Sequence, residues 1–252
     1  GLSVYGMKSV IEMQFSDFVS CGFNQIVNNI AKLYYRWGQS VNTVIRMPTG
    51  GTVGAGPFHS QSTEAWFTHT PGLKVVYPSN PIDAKGLLIS AIADPNPVMY
   101  FEHKALYRSS KAMVYENQYT IEIGKARLHL EGSELSIITY GIGVHWAEQA
   151  VKEMGVNADI LDLRTLCPLD YEAIDRTIQK TNKVLLLHED IAFGGISADL
   201  SAYIADALFE YLDAPILRCT SRNTPVPFSK ILENDFMANA RLKDQIQKLL
   251  DY

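Results

Sequence analysis

The sequence predicts an α/β protein of two domains, each a three-layer unit with helices on both faces of a mainly parallel sheet. Three observations predict it. Short apolar runs alternate with stretches whose apolar side chains recur at helical spacing, as successive βαβ units require. The alternation fades into short polar pieces after Tyr107 and resumes after Gly132, dividing the chain into residues 1–108, a connection over 109–132 and residues 133–252. The 252 residues suffice for two cores, and halves of roughly 110 to 120 residues are of ordinary domain size.

Taken in order, Gly1 to Met7 reads as the end of an apolar helix with a glycine stop, before a strand over Val10–Phe15. No initiator methionine, signal peptide or transit peptide is in view, so the chain is expected to begin inside a domain. Phe18, Phe23, Ile26, Val27, Ile30, Leu33 and Tyr34 form one stripe and predict a helix over 18–37, with Gly38 where it should stop. Thr43–Met47 is a short strand cut off by Pro48; after the glycine-rich segment comes a strand over Leu73–Tyr77. Ser79 or Asn80 caps a helix from Ile82 to Ala93, and Pro97–Glu102 is another buried strand. In the second half Leu135–Tyr140, Ala158–Leu163, Lys183–Leu187 and Pro215–Arg218 are strands. Helices over 146–154, 171–179 and 197–212 separate them, and a tail helix runs from Asn239 to Leu250.

Composition narrows the function. With 47% apolar and 19% charged residues the chain has a globular profile, and no apolar run approaches the roughly 18 residues that span a bilayer. A net charge of −5 without a basic stripe argues against nucleic acid as a partner. Cys21, Cys167 and Cys219 are odd in number and form no C-x-x-C pair, which reads as three reduced thiols of an intracellular protein.

The segment with the most chemistry is Pro57-Phe58-His59-Ser60-Gln61-Ser62-Thr63-Glu64-Ala65-Trp66-Phe67. It follows a glycine- and alanine-rich loop that lets a ligand approach the backbone, and its imidazole changes charge near neutral pH. The same spacing fits a loop histidine bonded to a neighbour, and the residues alone leave both readings open. Gly51 to Gly56 opens like a P-loop, but Pro57-Phe58 stands where a lysine and a hydroxyl residue would hold phosphates and magnesium. Gly141-Ile142-Gly143-Val144-His145-Trp146 opens like a dinucleotide fingerprint, but Trp146 is too large for the third glycine's packing role. His188, at a strand end before Glu189-Asp190 and Gly194-Gly195, is a second candidate site or else a turn held by carboxylates and glycines. His69, His103, His129 and His145 read as surface or packing residues.

Longer motifs add to this. They are Glu12-Met13-Gln14-Phe15-Ser16-Asp17-Phe18, Asn24-Gln25-Ile26-Val27-Asn28, Ala31-Lys32, the His59 segment with His69 to Pro78, and Asp83-Ala84-Lys85-Gly86-Leu87-Leu88. Phe101-Glu102-His103-Lys104-Ala105-Leu106-Tyr107-Arg108, the run from Asp162 to Asp170 and the segment from Glu189 to Gly195 continue them. In this order they resemble the beta subunit of thiamine-diphosphate-dependent 2-oxo-acid dehydrogenases, over essentially the whole chain. The resemblance implies a pyrimidine-binding domain followed by a smaller transketolase C-terminal-type domain. It implies an alpha subunit in an α2β2 heterotetramer, or a fused alpha portion, and docking on a lipoyl acyltransferase core. Thiamine diphosphate with magnesium would be held mostly by the alpha side; this chain has no Gly-Asp-Gly motif.

Carried over residue by residue, Phe18 falls where an aromatic packs on the aminopyrimidine ring, and Gln14 where a polar side chain contacts it. His59 matches the histidine assigned to protonating intermediates or assisting acyl transfer to lipoamide. A structural potassium ion is implied at the carbonyls of Ala91, Ile92 and Asp94, with Asn96 and a carbonyl near Thr43; Asp94-Pro95-Asn96-Pro97 is also strong turn chemistry, and both readings hold together. The family's essential glutamate would lie upstream of Gly1, so these residues by themselves are expected to be inactive. Asp199 stands where relatives usually carry glutamate. The implied reaction is oxidative decarboxylation of a 2-oxo acid with acyl transfer to lipoamide. The His59 and Phe101–Arg108 motifs look closer to branched-chain enzymes, with pyruvate or acetoin dehydrogenase beta subunits, or a non-catalytic assembly module of the same fold, as alternatives. The implied location is the cytoplasm of a bacterium or the mitochondrial matrix of a eukaryote.

Overall fold

The computed structural model describes residues 1–252. Its strands are β1 (Ser9–Glu12), β2 (Thr43–Thr49), β3 (Lys74–Val76), β4 (Val98–His103), β5 (Arg127–Leu130), β6 (Leu135–Thr139), β7 (Ala158–Asp162), β8 (Thr165–Cys167), β9 (Val184–Ile191) and β10 (Leu217–Ser221). Its α-helices are α1 (Ala31–Trp37), α2 (Ala65–Thr68), α3 (Pro81–Ala93), α4 (Leu106–Ser109), α5 (Ile142–Met154), α6 (Tyr171–Thr181), α7 (Ile196–Ala207), α8 (Lys230–Phe236) and α9 (Asn239–Leu250). They form two compact units, one of residues 1–124 with 164–168, the other of residues 125–163 with 169–252. No helix is long and apolar enough to cross a membrane.

In the first unit the strand order is β1-β2-β4-β3-β8, with the first four parallel and β8 antiparallel to β3. Val44, Val76, Val98 and Tyr100 pack on Leu87 and Ala91 of α3, so one face of the sheet is sealed by that helix. Burial on both faces is why β2 and β4 read as near-continuous apolar runs. Asn80 starts α3: its Oδ1 accepts the Asp83 N–H at 2.9 Å, and Pro81 occupies the first helical position, where a missing N–H costs nothing. β2 does not stop at Pro48 as expected but runs on to Thr49. β1 pairs only as far as Arg46, so the proline's absent N–H leaves no ladder bond unmade on that side.

The expected helix over 18–37 is present as one continuous helical run of changing pitch, 3-10 over Ser16–Gly22, π over Gln25–Ile30 and α over α1, which Gly38 ends at φ 68°. Two members of the apolar stripe, Phe18 and Tyr34, are exposed, while Ser16 and Asp17 at the start of the run are drawn inward by polar contacts. Gly72 is held at φ +99° with the Ala31 carbonyl oxygen only 1.9 Å from where a Cβ would stand, so this turn admits no side chain.

In the second unit the order is β10-β9-β6-β7-β5, parallel except for β5, which runs antiparallel to β7. Val144, Ala147 and Val151 of α5 and Leu242, Ile246 and Leu249 of α9 pack with the apolar residues of β6 and β9. Strand β5 lies inside the segment 109–132 that carried no regular pattern, and helix α4 ends at its first residue. α5 starts at Ile142, four residues before Trp146, and a Cβ on Gly143 would lie 2.0 Å from Thr139 Oγ1. Gly143, not the absent third glycine, lets the helix sit close to β6.

Residues 164–168 are fixed to the first unit by a bidentate ion pair. Arg164 donates through Nη2 to Asp83 Oδ1 at 2.6 Å and through Nε to Oδ2 at 3.0 Å, and Asp83 is 2% exposed. Removing one partner of a buried pair leaves the other charge without its counter-ion. Arg164→Ala is therefore expected to destabilise the fold by about 3–5 kcal/mol, read as a shift in the urea unfolding midpoint.

Candidate functional site

The parallel strands of the first sheet deliver their following loops to one edge, where open α/β sheets place ligands. At that edge β2 ends in Thr49, which is fully buried. Its Oγ1 accepts a hydrogen bond from Ser16 Oγ at 2.9 Å and donates one to the Gln61 carbonyl at 3.0 Å. Its own carbonyl accepts the Lys104 N–H at 3.0 Å. Three segments distant in sequence, around residues 16, 61 and 104, are tied to one residue.

These segments carry an aromatic cluster. The His59 imidazole stands edge-on to Phe15, with centroids 5.4 Å apart and planes at 89°, and edge-on to Phe18 at 5.5 Å and 74°. Phe18 is 39% exposed, an open aromatic face, and Gln14 is exposed just before Phe15. Lys104 Nζ lies 4.6 Å from the Phe15 ring centroid and donates to the His59 carbonyl. Asp17 Oδ1 accepts from the Gln61 N–H at 3.1 Å and from Gln61 Nε2 at 3.0 Å. Asp17 Oδ2, Ser60 Oγ and Thr63 Oγ1 are buried with no hydrogen-bond partner. An exposed π face suits a heteroaromatic ring, and an exposed amide can meet such a ring's polar edge. The structure brings Phe18 and His59 together, and Gln14 makes no hydrogen bond or ring contact with either. The orphaned oxygens are unmet hydrogen-bond capacity beside this cluster.

The sequence motif Phe101–Arg108 lies along the same edge. Arg46 pairs with Glu12 and, at 2.6 Å, with Glu102, whose Oε2 also accepts from Tyr107 Oη at 2.6 Å. Burial and then Glu102 push the Tyr107 phenol above its ordinary range. Glu102 and Tyr107 line a cavity of about 280 Å³ with Pro78, Asn80, His103 and Leu106.

The cation ligands expected from the sequence gather at the opposite edge. Thr43 opens β2, and Ala91, Ile92, Asp94 and Asn96 span the end of α3 and the turn into β4. The carbonyls of Ile92 and Asp94 converge on one point, where Asn42 Nδ2 donates to both. Asp94 Oδ1 accepts from the Asn96 N–H at 2.9 Å and its other oxygen pairs with Lys74. Both carbonyls are met here by an amide donor, which a hard cation held by them would have to displace. No group of three His, Cys, Asp or Glu side chains stands in metal-binding array.

His188, the second candidate, is enclosed in the other unit. It stacks on Tyr140 at 6.2 Å, its Nε2 lies 2.7 Å from Ser197 Oγ, and a Cβ on Gly195 would come within 2.8 Å of its Cε1. Burial keeps this ring neutral. Phe15, Asp17 and Lys104 lie in the quoted motifs without a role of their own, and Thr49 was not singled out; their position at strand ends was a further signal.

Two tests follow. Thr49→Val keeps shape but removes the hydroxyl, and is expected to cost about 1–3 kcal/mol in urea unfolding. Burial holds the His188 pKa down to about 4 from 6.5. The native ring stays neutral while the unfolded ring takes up a proton, so its contribution is complete above 6.5 and is lost as pH falls towards 4. The stability deficit of His188→Asn relative to the unaltered protein should shrink by about 1.4 kcal/mol per pH unit across that window.

Comparison with known proteins also divides the chain in two, with residues 164–168 counted in the second part. The transketolase pyrimidine-binding domain matches residues 1–110, and the transketolase C-terminal domain residues 124–241. The chain is 44% identical over 245 residues to the 2-oxoisovalerate dehydrogenase subunit beta of Bacillus subtilis, covering 95% of this chain and 75% of that one. It is 40% identical over 258 residues to the pyruvate dehydrogenase E1 component subunit beta of the same organism, covering 100% and 79%. Among solved structures, a split gene transketolase described as an inactive beta4 tetramer superposes with a TM-score of 0.78 at 22% identity, over 100% of this chain and 78% of that one, a likeness of fold.

Proposed function

The chain belongs to the family of beta subunits of thiamine-diphosphate-dependent 2-oxo-acid dehydrogenases, and on that premise we propose that it serves the oxidative decarboxylation of a branched-chain 2-oxo acid, with transfer of the acyl group to lipoamide. The observation that carries the reading is the meeting of His59 with the open face of Phe18 at the ligand-binding edge of the sheet. When bound, thiamine diphosphate supplies the carbanion chemistry. Phe18 would hold its aminopyrimidine ring by packing, and Gln14 would meet that ring's polar groups. His59 delivers a proton from its imidazole, which Phe15 and Phe18 hold edge-on.

Magnesium and the diphosphate belong to the alpha partner, separate in an α2β2 assembly or fused. Potassium steadies the turn at Ala91, Ile92, Asp94 and Asn96 with Thr43. A lipoyl acyltransferase core receives the product. The place of action is the bacterial cytoplasm or, in a eukaryote, the mitochondrial matrix. The preference for branched-chain acids rests on the His59–Glu64 and Phe101–Arg108 motifs. Pyruvate and acetoin are the competing substrates, and the similarity to a pyruvate dehydrogenase subunit keeps the first of them in view.

The full-length protein with its alpha partner, thiamine diphosphate, magnesium and potassium is expected to decarboxylate branched-chain 2-oxo acids in preference to pyruvate and 2-oxoglutarate, measured with an artificial electron acceptor. His59→Ala should lower that rate about 10²- to 10⁴-fold. Equal or faster turnover of pyruvate would reassign the substrate. Failure on every acid would leave an assembly module of the same fold.

A further inference from the structure

We propose that Lys104 is a positioning residue for His59, acting through the histidine's main chain and through Phe15 rather than on substrate. The inference rests on the role given to His59 above. His59 closes a single 3-10 turn, Gly56–Phe58, behind a loop whose Gly50, Gly54 and Gly56 all have positive φ. Such a loop surrenders much conformational freedom on ordering. Within the turn the His59 backbone is held only by its N–H to the Gly56 carbonyl, a long 3.4 Å bond. An imidazole that must meet a reacting atom within about half an ångström needs a stronger tether.

Lys104 supplies one from outside the loop. Its N–H is fixed to Thr49 at 3.0 Å, so the residue starts from the rigid end of β2 and β4. Its side chain then does two things with one ammonium. Nζ donates to the His59 carbonyl, and it lies 4.6 Å from the centroid of Phe15, the ring on which the imidazole rests edge-on. Tether and wall are thereby locked together: shifting the His59 backbone strains the cation–π contact, and turning Phe15 loosens the carbonyl's donor. Asp17 performs the companion task two residues on, by holding Gln61.

The test is a double-mutant cycle in the full-length protein with its alpha partner. Lys104→Met should lower kcat between about tenfold and 10²-fold with KM little changed, and Lys104→Arg, which keeps both contacts, should recover most of the rate. In the His59→Ala background Lys104→Met should cost nothing more. A second readout needs no turnover: in chains with labelled histidine, the His59 Hε1 resonance should lose its ring-current shift from Phe15 and Phe18 in Lys104→Met and regain it in Lys104→Arg. A rise in KM alone, an additive loss in the His59→Ala background, or an unmoved resonance would each overturn the proposal. A parent enzyme that turns over no acid would overturn the functional reading instead, while the resonance still decides whether Lys104 positions the ring.

Discussion

Everything at the candidate site depends on three hydrogen bonds that converge on Thr49. A parallel strand ends with carbonyl groups facing the ligand side, and the chain that follows must be gathered again before it can present side chains in fixed relation. Thr49 does this with two atoms: its hydroxyl joins the Ser16 and Gln61 segments, and its carbonyl takes the Lys104 N–H. The aromatic pair, the histidine and the ammonium all hang from these points. Each bond is modest in net terms, on the order of 1 kcal/mol, but leaving any of them unmade in a buried setting costs more than forming it gains.

The two units solve the problem of buried polarity differently. The first uses pairing: Asp83 with Arg164, and Glu102 with Arg46 and Tyr107. The second also pairs, Asp159 with Lys180 and Asp162 with Arg127, but in addition it suppresses charge, keeping His188 neutral between Tyr140 and Ser197, while burial pushes the carboxyl of neighbouring Asp190 up to about 7. A paired group keeps its ionisation and its direction. A suppressed one adds rigidity without adding a field, which suits a domain whose buried histidine is part of the packing.

Much of the fold was legible because it was local. The cap at Asn80, the stop at Gly38 and the tail helix Asn239–Leu250 follow from neighbours within a turn or two. What escaped was set by distance. β8 is three residues long and finds its partner β3 some ninety positions earlier, so no window contains the reason for it. The inward turn of Ser16 and Asp17 is likewise decided by Thr49 and Gln61, far along the chain. The site divides in the same way. His59, Gln14 and Phe18 were named through a resemblance, and the structure brings Phe18 and His59 together. Lys104 could not be assigned a part, because its contacts are a main-chain oxygen and the face of a ring, neither of which leaves a mark on sequence.

The strand β8 also bears on how such a chain can be divided. Its residues 164–168 complete the first sheet although they are numbered between β7 and α6 of the second. No single cut therefore separates the units: a gene split after residue 124 would strip the first unit of an edge strand and of the arginine that neutralises Asp83, and would leave the second carrying a segment with nothing to pair. The continuous polypeptide is itself a part of the architecture, and shuffling of domains at this point would require transplanting five residues along with the rest.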